Sequence, residues 1–194
     1  MTRDHHRPMT PGDAYFASLE GGSDPALVSE AADRAATLLV RGARSSGDTE
    51  TAQRVLHLAE TEGLETLADL WSGAPAESLA GCLWRLYLLR EWVHGMPAQV
   101  AAQFESGRAT AQVARVVAGV ADPPGPDQVI AMVDEVLSGI ATGDFADVLL
   151  RAAAFARVVA VGRAHVGDAE HARMLLLSEQ LEAAAHLELH GNLA

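Results

Sequence analysis

Leu79-Ala-Gly-Cys-Leu-Trp-Arg-Leu-Tyr-Leu-Leu-Arg-Glu-Trp-Val93 is apolar almost all round when set on a helix, and it decides the fold. A helix with no polar face has to be surrounded by other elements. The segment is bounded by Pro75, suited to a first helical turn, and by the stop Gly95-Met96-Pro97, which predicts a helix from Ala76 to His94. Phe145 to Val161 is nearly as apolar and is read as its natural neighbour, the two nucleating a core that amphipathic helices cover.

Working outward, no stretch alternates with period two between turn signals, and alanine and leucine dominate over tyrosine, isoleucine and threonine. The fold class is therefore all-α. Punctuation places further helices at 10–19, from Ser23-Asp24-Pro25 to about Gly42, from Asp48 to Gly63, and from Leu64 to Trp71. Others are read at 97–105, 109–121, 127–140, 144–164 and 168–190, with Asp122-Pro-Pro-Gly-Pro126 as the strongest break. The expectation is a compact irregular bundle of nine or ten helices forming one domain over 10–194, with residues 1–9 as a disordered tail and Leu83, Trp84, Leu86, Leu88, Phe155 and Val159 in the core. A helical-hairpin solenoid is the alternative, because Gly47-Asp-x-Glu-x-Ala recurs at Gly167 and Ala114-Arg-Val-Val-Ala118 recurs at Ala156. The plainer explanation, which the bundle keeps, is that Gly-Asp often ends one helix and caps the next.

With 26 acidic and 14 basic residues the net charge is −12, which argues against nucleic acid and against an anionic membrane as partners. The N-terminal stretch lacks the apolar core of a signal peptide, and Arg151 and Arg157 interrupt the greasiest run, so a cytoplasmic location is expected. A single cysteine, Cys82, excludes an intrachain disulfide framework and any thiolate-rich metal site.

Chemistry is sparsely signalled. No P-loop, dinucleotide fingerprint, nucleophile elbow or H-E-x-x-H motif occurs, and no catalytic residue or cofactor is assigned. Cys82 sits mid-helix among leucines with only Arg85 as a local positive charge, and reads as packing. Glu91-x-x-His94 has the spacing of one half of a di-iron motif but lacks a second copy, and His57-x-x-Glu60 has the reversed order. On the last helix Glu179, Glu182, His186 and His190 share an arc of about 80°. His186, His190 and Glu182 are thus metal candidates on spacing, read instead as a solvated helix face, and the chelating pair His5-His6 as fortuitous.

Arg85, Arg90, Arg151 and Arg157 lie in the two most apolar helices, and each needs a carboxylate, a helix-end carbonyl or an anionic ligand. Asp147 is placed to pair with Arg151. A pocket built from Trp84, Arg85, Tyr87 and Trp92 is the candidate ligand site. The last helix spreads Ala172, Met174, Leu176, Leu177, Leu181, Ala183, Ala184 and Leu187 over about 200°, more than a surface helix needs. The leading functional expectation is accordingly a non-catalytic interaction or regulatory protein, self-associating as a homodimer or binding a protein partner; the alternative is a small-ligand or anion-binding protein using the aromatic and arginine pocket.

Leu83-Trp-Arg-Leu-Tyr-Leu-Leu-Arg-Glu-Trp92, Val120-Ala-Asp-Pro-Pro-Gly-Pro126 and Gly143-Asp-Phe-Ala-Asp147 together resemble a family of small all-helical proteins of high-GC actinobacteria, over most of the chain. The resemblance implies a taxonomic origin and a helical fold, and it brings no established activity, cofactor or site residue.

Overall fold

Pro75 does not enter the helix that it was expected to open. Its carbonyl accepts the Ser78 amide at 3.3 Å in a turn, and the Ser78 hydroxyl accepts the Gly81 amide at 3.1 Å as an N-cap, so the apolar helix starts at Leu79. Gly81 is required there, since a Cβ would lie 1.7 Å from the Pro75 carbonyl oxygen. The structure is a computed structural model that describes residues 25–42, 65–109, 125–142 and 144–194. Among these residues every regular element is a helix: α1 (Pro25–Arg41), α2 (Glu65–Trp71), α3 (Leu79–Gly95), α4 (Pro97–Arg108), α5 (Pro126–Thr142), α6 (Phe145–His165) and α7 (His171–Leu189). The all-α class holds, with seven helices described where nine or ten were expected. The helices expected at 10–19, 48–63 and, beyond Ala109, 109–121 lie outside the described residues, as do the tail at 1–9 and the first copy of each supposed repeat.

The expected pairing of α3 with α6 is not what forms. α6 packs along α7 and α4, whereas α3 packs against α1, α2 and α5. Side-chain size is the reason. Buried Ala152, Ala153, Ala156, Ala160 and Gly162 give α6 a narrow surface on which other backbones can settle. At the α4–α6 crossing a Cβ on Gly162 would lie 1.8 Å from the Gln103 carbonyl oxygen, and one on Gly107 would lie 1.8 Å from that of Val158. Phe104 stacks on Phe155 beside this seam, ring centroids 5.5 Å apart. On the other flank the buried Ser178 hydroxyl of α7 donates to the Ala153 carbonyl at 2.8 Å.

α3 is fastened from both ends of the chain. The Trp71 indole, buried beneath it, donates to the Ala32 carbonyl of α1 at 3.2 Å, and the Leu79 amide donates to the Ala194 carbonyl at 2.8 Å. Arg41 donates to Glu188 at 2.8 Å and to the Leu193 carbonyl at 3.1 Å, seating the buried Leu193. Of the expected core, Leu83, Leu86, Phe155 and Val159 are buried; Trp84 is half-buried and Leu88 is 43% exposed. Both exceptions lie on the flank of α3 that no helix among the described residues covers.

Candidate functional site

That uncovered flank forms one wall of an open cleft of about 350 Å³. α3 supplies Trp84, Arg85, Leu88, Leu89 and Trp92, α6 supplies Arg163, and α7 supplies Arg173, Met174, Leu177 and Gln180. The volume lies near the lower end of the range of small-molecule sites. Among the described residues three arginines and no acidic residue line it, in a chain whose net charge is −12. The cleft is thus a locally positive spot on an acidic molecule, and low-dielectric walls focus such a field.

The three cations are held differently. Arg85 donates through Nε to Gln180 Oε1 at 2.8 Å and through Nη1 to the Gly81 carbonyl at 2.8 Å; both acceptors are neutral, and no carboxylate among the described residues pairs with it. Arg163 is only 8% exposed: its Nε donates to Gln103 Oε1 at 3.0 Å, its guanidinium lies 4.5 Å from the centroid of the Trp92 ring, and Asp168 approaches to 3.8 Å. Arg173 sits exposed on the rim, paired with Glu170 at 2.7 Å. The other arginines expected to need partners have carboxylates: Arg90 meets Asp134 and Glu91, Arg151 meets Asp147 at 3.5 Å, and Arg157 meets Glu182 at 2.6 Å.

Trp84, Arg85 and Trp92 therefore come together, and Tyr87 does not line the cleft. Tyr87 instead stacks against Trp84 with centroids 5.8 Å apart. No family model matches the chain, nor does a curated protein or a solved structure.

The remaining candidates are dispersed. Among the described residues no three of His, Cys, Asp and Glu gather to hold a metal. His186 and His190 are exposed, His190 Nδ1 being 2.6 Å from the His186 carbonyl, while Glu182 is engaged by Arg157. Glu91 accepts from Arg90, and His94 Nε2 lies 2.9 Å from Asp134 Oδ1. His57, Glu60, His5 and His6 lie outside the described residues. Burial pushes the Cys82 thiol up to about 12, Arg85 offsetting only part of that effect, so the sulfur stays protonated at neutral pH. In a second groove, beside Arg41, that guanidinium is engaged by Glu188 and the Leu193 carbonyl, and the Leu79 amide by Ala194.

Sequence reasoning missed Arg163, Arg173, Gln180, Met174 and Leu177 as cleft residues. Arg163 follows Gly162 in the same apolar helix as Arg157, a signal that was there to be read; the contributions of α7 depend on how its first three turns face α3. One further trait is visible in composition alone: all 14 basic residues are arginine, the side chain suited to planar, two-pronged recognition of anions.

Proposed function

We propose that this protein is a non-catalytic binding protein that takes a small anion with an apolar body into the cleft between α3 and α7. The observation that carries the reading is Arg85, a cation held in place by two neutral acceptors beside Trp84, Leu88 and Trp92. Positioning without neutralisation leaves the charge to a ligand. This reading is preferred to self-association because α7 spends most of its apolar surplus within the chain. Met174, Leu181, Ala184 and Ala185 are buried, and Met174 and Leu177 line the cleft, which leaves Leu176 and Leu189 as its exposed large apolar side chains.

A thermal-shift screen of small acids, amines and neutral compounds of matched shape tests it. Acids should raise the melting temperature, by roughly 5–10 °C at about a hundredfold excess over Kd, and the shift should fall to about half in Arg85→Gln. Equal shifts from amines or from neutral analogues would sink the reading. Sedimentation equilibrium showing a homodimer that dissociates on Leu176→Asp would return the choice to self-association.

A further inference from the structure

The charges that line the cleft balance unequally. Arg163 already faces Asp168 and Arg173 already faces Glu170, so Arg85 supplies the one positive charge of the lining that no carboxylate among the described residues offsets. A guanidinium carries five N–H bonds. Gln180 and Gly81 take one from Nε and one from Nη1, which leaves both on Nη2 and the second on Nη1 for a ligand. That is the donor set for one carboxylate.

Phosphates and other dianions are commonly cradled by backbone amides at a helix start. Here the amides nearest the cleft are engaged: those of Arg173 and Met174 both donate to the Glu170 carbonyl, and the Glu170 amide donates to Asp168 Oδ1. The rest of the lining selects for shape. Trp84 has one ring face against Tyr87, and Trp92 has one against the Arg163 guanidinium. Both indoles border the cleft with what remains, alongside the Met174 thioether, a favourable neighbour for a ring. An open space of about 350 Å³ suits one or two fused rings better than a long acyl chain, which needs an enclosed tunnel to bury its length.

We infer that the ligand is a flat aromatic monocarboxylate, its acid group on Arg85 and its ring between Trp84, Trp92 and Met174. The inference rests on the anion-binding reading above and narrows it.

Calorimetric titration of the full chain with naphthoate is the test, against naphthamide, octanoate, naphthalene dicarboxylate, inorganic phosphate and adenosine monophosphate. Naphthoate should bind, with naphthamide, octanoate and the dicarboxylate each weaker by about tenfold or more. Neither phosphate nor the nucleotide should displace it. Arg85→Gln should lose about tenfold in affinity. Leu88→Glu, an exposed position where a carboxylate would face the acid, should lose as much while keeping the wild-type melting temperature. Octanoate or the dicarboxylate binding as tightly as naphthoate would overturn the planar monoanion but leave an anion site standing, and so would displacement by phosphate or the nucleotide. Absence of Arg85-dependent binding by every anion would overturn both readings.

Discussion

α6 and α3 are both apolar round most of their circumference, yet one is sealed and the other keeps a flank open. α6 presents alanine and glycine, so α4 and α7 approach until backbones touch at Gly107 and Gly162. α3 presents Trp84, Leu88, Trp92 and Arg85, whose bulk and charge hold α7 at a distance and leave a cleft. Polar groups follow the same division: the Ser178 hydroxyl at the α6 seam is buried with its acceptor, whereas the Arg85 guanidinium keeps N–H groups to spare. Hydrophobicity says that a helix wants cover; side-chain size decides whether it gets all of it.

The sharpest way to break this contrast is at the sealed side. Phe104→Ala, which empties a fully buried position against Phe155, should cost about 3–5 kcal/mol in urea unfolding. Gly162→Ala should cost about 2–3 kcal/mol, because its methyl group meets the Gln103 carbonyl, and Gly95→Ala, with open space around it, should be neutral or slightly stabilising. Equal tolerance at the two glycines would mean that α4 and α6 are not in backbone contact.

Cys82, on the covered side of α3, tests burial through pH. Its folded-state pKa is raised to about 12, so the folded protein keeps a proton that the unfolded chain sheds near pH 8.5. The stability this contributes is complete below the unfolded value and is lost as pH climbs towards 12, with a slope of up to about 1.4 kcal/mol per pH unit. Unfolding curves across that alkaline range should flatten in Cys82→Ala; an unchanged slope would place the thiol in contact with solvent. The smallest effect belongs to the open flank, where Leu88→Glu should shift stability by no more than about 0.5 kcal/mol despite lying in the most apolar helix. A loss of about 2 kcal/mol would show that the cleft is closed core.

Helix periodicity and punctuation made the element types legible, as at Pro97, Asp144 and Gly167, where a first-turn proline, an N-cap and a positive φ of 72° do what those residue types do locally. Ser78 competed with Pro75 for the start of α3 and prevailed, because a side-chain cap satisfies an amide that proline cannot. Neighbour choice was not legible. Greasiness alone points α3 towards α6, whereas small side chains choose the closest partners. The same limit applied to the cleft: Trp84, Arg85 and Trp92 share one helix and could be grouped by spacing, whereas Arg163, Met174 and Gln180 arrive through the α6–α7 turn, whose geometry no periodicity encodes.

The fastening of α1 to the 188–194 segment also sets a clock. Arg41 and Glu188 are 147 residues apart, so at a synthesis rate of about 5–20 residues per second roughly 7 to 30 s pass on the ribosome before the first meets the second. Leu79 precedes Ala194 by 115 residues, so its amide and the apolar face of α3 that awaits α7 wait roughly 6 to 23 s for their partners, an interval in which a nascent chain is open to aggregation.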